Sequence, residues 1–372
     1  MRIGILTLPL HTNYGGILQA YALQTVLERM GHNVVVFDTD KHWSLPLWKA
    51  PLSYGKRILK NLLGRKSVIF AERKANREYP IISKNTQQFI DKYIHRLVVN
   101  DLNTLQEKDF DAIVVGSDQI WRAIYYPKIE NAYLKFAEHW NIKRITYAAS
   151  FGTDNLDEYT HKQIQRCGRL IKRFNAVSVR EKSGVDLCKI HFGIDAKHVL
   201  DPTMLLEAED YIKLFNDANI PKSKGTLLTY ILDETEEEEQ LIEQIAQERK
   251  LISFRGNSKV EDSKAKIEER IQPPVEQWLR GFYDADYVVT DSFHACVFSI
   301  LFKKQFVVYG NKGRGMARFL SLLSMFGLES RLITSVEEYK QLPEIDYNKV
   351  YNLLNEQKEI SMSYLKNALN NE

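Results

Sequence analysis

The chain is poor in cysteine. Cys167, Cys188 and Cys296 are far apart and odd in number, with no Cys-x-x-Cys pair among them. This excludes a disulfide framework and argues for a reducing, cytoplasmic compartment. Long apolar runs are missing as well. No window approaches about 18 uninterrupted apolar residues, so no transmembrane helix is expected. The first apolar run is cut by Thr7 and Pro9 and leads into a polar turn, which is not the pattern of a signal peptide. An excess of charge is absent, since the net value of +3 is too small to argue for a nucleic-acid partner. Nothing has the spacing of a zinc site or an EF-hand loop, and no metal is expected. Internal repeats and low-complexity tracts are also lacking. The pattern Gly-x-Gly-x-x-Gly does not occur. Asp38 stands near the place of a ribose-binding acid, but without those glycines the case for a dinucleotide is weak.

What is present is an ordinary globular composition, 44% hydrophobic and 27% charged, over 372 residues. That length can bury a large core and points to two domains. Apolar runs read as strands alternate with helical patterns in both halves. Strands are expected at Arg2 to Leu8, Asn33 to Asp38, Asp111 to Gly116, Arg144 to Ala149 and Asn175 to Val179 in the first half. In the second half they are expected at Thr226 to Leu232, Leu251 to Phe254, Tyr287 to Val289 and Gln305 to Tyr309. Among the helical stretches, Asp157 to Phe174 reads as one helix. The alternation predicts an α/β fold with two doubly wound, Rossmann-like domains facing across a cleft, residues 1–206 and 221–345, followed by a C-terminal helical segment, 346–372.

In such sheets ligands bind beyond the carboxyl ends of the strands, and polar clusters recur there. The first half offers Asn13-Tyr14-Gly15-Gly16, Ser117-Asp118, Ser150-Phe151-Gly152 and Arg180-Glu181. The second offers Arg255, Asp291-Ser292-Phe293-His294 and the glycine-rich basic loop 310–315 with Lys312 and Arg314, followed by Arg318. Arginines and lysines suit phosphate or carboxylate, and glycine-rich backbone can add N–H groups to an anion. His294 can exchange a proton near neutral pH, and Asp118 or Asp291 can act as a base or orient another group. Plainer readings stand beside these. Asn13 to Gly16 is a tight turn or an anion and sugar site, Asp291 is a helix cap or a site residue, and Arg180-Glu181 is a helix-start ion pair or an anion clamp.

One segment stands apart. Between Lys41 and Glu78 the chain carries ten Lys/Arg against Glu72 and Glu78, with Trp43, Trp48 and Tyr54 interleaved. Its local charge is +8, which leaves −5 for the remainder. It is either a set of solvated helix faces or an insertion facing a membrane or an acceptor.

The polar clusters resemble, in order, those of the polysaccharide pyruvyl transferase family. The matching segments are Gly4-Ile5-Leu6-Thr7, Asn13 to Gln24, Val115 to Trp121, Ala148 to Gly152, Val177-Ser178-Val179-Arg180-Glu181, Asp201-Pro202-Thr203 and Val289 to His294. The resemblance implies a fold like the two-domain glycosyltransferases of B type. It implies transfer of a pyruvyl group from phosphoenolpyruvate (PEP) to a saccharide, often a cell-surface polysaccharide precursor and in some cases lipid-linked, with no further cofactor. The family arginine falls on Arg180, expected to hold the phosphate or carboxylate of PEP, and the family histidine falls on His294, the expected acid. Asp118 is the expected acceptor-side base. Expected substrate contacts are Asn13, Tyr14, Gly15, Gly16, Ser117, Asp291, Ser292, Lys312, Arg314 and Arg318. Many relatives read Arg-Leu-His-Gly where this chain has Ser292-Phe293-His294-Ala295, so either another cation, Arg314 or Arg318, takes that arginine's place or PEP is held differently. Two rival readings share the fold: a nucleotide-sugar glycosyltransferase, with Asp286 or Asp291 gripping a ribose, and a non-catalytic saccharide-binding relative.

Overall fold

The computed structural model describes every residue except 47, 66, 311–315, 341, 371 and 372. The first domain opens with β1 (Arg2–Leu6), α1 (Tyr14–Arg29) and β2 (Asn33–Asp38). Helices α2 (Ala50–Leu62), α3 (Ala71–Ile82) and α4 (Lys84–Tyr93) then intervene before β3 (Arg96–Val98). The domain continues through β4 (Ala112–Val115), β5 (Lys143–Thr146), α5 (His161–Ile171), β6 (Ser178–Val179), α6 (Lys182–Leu187) and β7 (Lys197–His198). Helix α7 (Ala208–Asp217) leads into the second domain, built from β8 (Leu227–Tyr230), α8 (Glu236–Arg249), β9 (Ser253–Arg255), α9 (Ile267–Arg270), α10 (Val275–Asp284), β10 (Tyr287–Thr290), α11 (Phe293–Leu301), β11 (Gln305–Tyr309), α12 (Ala317–Met325), β12 (Leu332–Ile333) and α13 (Val336–Tyr339). The long α14 (Tyr347–Asn370) closes the chain.

Each domain centres on a five-stranded, wholly parallel sheet. The orders are β3-β2-β1-β4-β5 and β12-β11-β10-β8-β9. Strands β4 and β10 are buried at every position. Their unbroken Val/Ile-rich runs suit strands covered on both faces, as a parallel sheet requires. In each sheet the direction of winding reverses once, between β1 and β4 in the first and between β8 and β10 in the second. Ligands bind at such switch points, and here the two face each other.

Several boundaries differ from the sequence reading. Helix α5 starts at His161, because Thr160 and Gln163 form a capping box that stops the helix running back to Asp157. Strand β5 ends at Thr146, and the chain then turns through Ala148 with φ 51°. Each domain has an apolar cluster of its own, Leu6 to Ala196 in the first and Leu227 to Tyr339 in the second, and a third is shared between them. The shared cluster runs from Ile3 and Val114 through Tyr211, Trp278 and Phe298 to Leu369. The C-terminal segment expected to be helical forms α14, which touches both domains. Tyr347 on α14 donates to Ser299 O in the second domain, and Tyr364 donates to Thr146 O in the first. Among the described residues no helix is long and apolar enough to cross a membrane.

Candidate active site

The cleft between the switch points has a volume of about 610 Å³, and its walls come from both domains. On the first-domain side, Asn13 is the N-cap of α1, its side chain accepting from Gly16 N at 3.2 Å. Asn13 to Gly16 is therefore a helix cap and first turn, not a free-standing loop, and the N-terminus of α1 points into the cleft. Asn13 lines the cleft. Tyr14 does not: it is fully buried, stacks on Trp278 at 5.2 Å and donates to Pro273 O. It joins the two domains, and its expected role as a substrate contact is replaced by a packing role.

Beyond β4 the backbone is tightly constrained. Gly116 has φ 133°, and a Cβ there would lie 2.0 Å from Tyr147 O, so only glycine fits. Asp118 adopts φ 46°, uncommon for a residue with a side chain, and lines the cleft although only 5% exposed. Ser117 points beneath the cleft floor. Its N donates to Gln19 Oε1 and its hydroxyl to Asp201 Oδ2.

On the second-domain side, Asp291 is not the cap of α11. Its carboxylate accepts from Leu232 N at 2.8 Å and Asp233 N at 3.0 Å, which ties the ends of β8 and β10 together. Ser292 occupies the cap position, makes no side-chain cap bond, and lines the cleft. His294 lies in the first turn of α11 and is 7% exposed. Its ring packs onto α1, where a Cβ on Gly15 would fall 2.0 Å from His294 Nδ1. Gly15 thus contributes by lacking a side chain. The N-termini of α1 and α11 converge on this imidazole, and each carries partial positive charge. Arg318, on α12, lines the same wall as Ser292 and His294.

Beneath this wall lies a buried charge cluster. Arg180 Nη1 donates to Asp201 at 2.8 Å, its Nε to Glu181 at 3.3 Å, and its Nη2 lies 3.9 Å from Asp118. Burial opposes its charge, but Glu181, Asp201 and Asp118 outweigh burial and raise its pKa. The guanidinium also lies 4.3 Å from the Phe293 ring, whose other guanidinium neighbour is Arg318 at 5.8 Å. Arg180 is 4% exposed and is not among the cleft-lining residues. The expectation that it grips the donor directly gives way to a role in holding this carboxylate cluster. Burial would raise the Asp201 carboxyl, yet His294 and Arg180 prevail and hold it well below the usual carboxylate range. His294 Nε2 has no hydrogen-bond partner among the described residues, and Asp201 is the charge beside it at 3.7 Å.

The structure therefore brings Asn13, Asp118, Asp291, Ser292, His294 and Arg318 to one cleft, with Gly15 packed behind His294 and Gly16 beside Asp118. Tyr14, Ser117 and Arg180 support it from behind. Lys312 and Arg314 lie outside the described residues. The sequence reading assigned no role to Asp201, although the Asp201-Pro202-Thr203 motif was its signal. Gln272 was also missed. Its side chain donates to Thr12 O and accepts from Ser258, clamping the cleft rim across the domains. Chemically, the described lining offers an imidazole, the guanidiniums of Arg318 and Arg255, two helix N-termini for an anion, and the Asp118 carboxylate on the opposite wall.

The family model for polysaccharide pyruvyl transferases matches residues 13–313. Comparison with curated proteins gives no match. Among solved structures, the UDP-GlcNAc 2-epimerase of Neisseria meningitidis bound to UDP-GlcNAc is 10% identical with a TM-score of 0.48, covering 99% of this chain and 94% of its own. Arabidopsis thaliana UGT89C1 complexed with UDP-L-rhamnose is 9% identical with a TM-score of 0.49, covering 98% and 97%. S. aureus MnaA with UDP is 12% identical with a TM-score of 0.48, covering 99% and 97%. The strand orders, rather than these distant likenesses, define the fold.

Proposed function

The chain belongs to the polysaccharide pyruvyl transferase family, and on that premise we propose that it moves a pyruvyl group from PEP to a pair of saccharide hydroxyls, forming a cyclic ketal and releasing phosphate. The observation that carries this reading is the setting of His294: an imidazole at two converging helix N-termini, in the same cleft wall as Arg318.

The donor's anionic groups are held by Arg318 and by the backbone N–H groups opening α11. Arg318 thereby takes the place of the arginine that relatives carry where this chain has Ser292. Lys312 and Arg314 add cations to the same anion in this reading. Protonated His294 gives its proton to the PEP methylene carbon, and positive charge develops at the adjacent carbon. A first sugar hydroxyl attacks that carbon, its proton passing to Asp118. The C–O bond to phosphate then breaks, phosphate departs with the bonding electron pair, and a second hydroxyl closes the ring as its proton passes to His294, which gave its own in the first step. Proton delivery of this kind is worth about 10²–10⁴ in rate. A cleft of about 610 Å³ has room for donor and sugar together. Three buried free thiols and a phosphorylated metabolite as donor are consistent with action in the cytoplasm.

The test is incubation with PEP and candidate saccharides, lipid-linked ones included. Acceptor-dependent phosphate release, with a mass gain of pyruvate minus water, is the expected result. A nucleoside diphosphate formed from a sugar nucleotide, or sugar binding without any turnover, would overturn it.

A further inference from the structure

The segment between β2 and β3 has an outward face that the transfer chemistry does not use. Helix α2 buries none of its residues. Its polar side is tied to α3 and the preceding turn: Arg57 grips Glu72 with two bonds of 2.7 and 2.8 Å, and Asn61 exchanges bonds with Ser67. That attachment turns the opposite side to solvent. There Trp48 (76% exposed), Leu52, Leu59, Leu62 and Leu63 recur at helical spacing and form a stripe. Eight of the nineteen exposed large hydrophobic residues described fall between Trp48 and Phe70, which makes this a patch rather than scatter.

The charge around the stripe selects what covers it. Lys49, Lys56 and Lys60 fall along one flank of the stripe, and Lys49 Nζ lies 4.7 Å from the Trp48 ring. The segment's two acids are both engaged in ion pairs: Glu72 with Arg57, and Glu78 with Lys74 and Arg270. An apolar stripe with a basic flank and no free acid is complementary to an anionic bilayer surface, where leucines enter the acyl boundary and lysines meet headgroups. At 13 residues the helix can lie in that surface but cannot span it.

We infer that α2 seats the protein on anionic membrane. Helices α3 and α4, which follow α2, are bonded to the cleft rim. Glu78 pairs with Arg270, and Asn85 donates to the carbonyl of Gln272, a cleft-lining residue. Seating α2 therefore brings the cleft to the headgroup layer. If the transferase reading above holds, that position selects a lipid-linked saccharide as acceptor.

Vesicle sedimentation of the full chain, without substrates, tests this separately from turnover. The protein should pellet with phosphatidylcholine vesicles containing phosphatidylglycerol and stay in solution with phosphatidylcholine alone. Leu59→Asp with Leu62→Asp should abolish pelleting, and Lys56→Gln with Lys60→Gln should weaken partitioning about fivefold per lysine. Phosphate release with a water-soluble acceptor should be unchanged in both variants. Equal recovery with the two vesicle types, or wild-type pelleting by both variants, overturns the inference. So does a dimer in solution that Leu59→Asp breaks, since a second copy would then be what covers the stripe.

Discussion

His294 Nε2 stands 3.7 Å from Oδ2 of Asp201, a carboxylate that comes from the other domain and is itself held by Arg180. The distance is too long for a hydrogen bond but short for two opposite charges in a buried place. Two residues 93 positions apart thus form one electrostatic unit across the domain boundary. The unit ties the cleft wall of one domain to the buried charge cluster of the other.

Replacing His294 by Ala should lower kcat by about 10²–10⁴, with the fold intact by circular dichroism. Pyruvyl transfer at near wild-type rate would remove the acid role.

Gly15→Ala should inactivate without touching any reacting group. The added methyl would lie 2.0 Å from His294 Nδ1, so the ring must move. A shift of about 1 Å in a catalytic group costs about 10²-fold. Helix propensity alone favours Ala over Gly, so a loss of kcat with no loss of thermal stability is the expected signature. Unchanged kcat would show that the ring is not held there.

Asp201→Asn tests the buried charge cluster through stability. The Asp201 carboxyl is held below its unfolded value, so its contribution to stability is complete above about pH 4. That contribution is lost as pH falls through the lower folded value. The variant should therefore lose about 3 kcal/mol at neutral pH, where Arg180 is left short of a partner, and much less under strongly acidic conditions. Thermal melts at the two pH values check this. An equal deficit at both would contradict the linkage.

Arg318→Ala should weaken the use of PEP by about 10- to 100-fold in kcat/KM, as expected for charge-assisted bonds to an anion. Arg318→Lys should recover only part of it, since the planar fork is lost. If both variants keep the wild-type KM for PEP, the donor anion is held elsewhere.

Asp118→Asn should slow turnover by about 10²-fold or more while leaving PEP binding intact, because its proposed partner is the acceptor hydroxyl. Equilibrium binding of PEP alongside turnover separates the two. Loss of PEP binding in this variant would place Asp118 on the donor side.

Much of the architecture was legible from the chain alone. Buried parallel strands advertise themselves as unbroken Val/Ile-rich runs, and the alternation with helices follows from periodicity. The polar clusters at strand ends, from Asn13 to His294, mark the cleft because parallel sheets present their ligands there. The lack of a glycine fingerprint, of metal-ligand spacing and of long apolar runs also belongs to the sequence. What tertiary structure decided is which member of each cluster meets the cleft. Arg180 and Arg318 are the same residue type, yet packing buries one among three carboxylates and sets the other in the cleft wall. Tyr14 and Gly15 are neighbours, yet a helix turn sends one into the interdomain core and backs the other against His294. The Asp201-Pro202-Thr203 motif marked the segment, but only the packing of the two domains set Asp201 beside a histidine of the other. Periodicity is a local property of the chain, whereas a distance between remote residues exists only once the sheets are paired and packed.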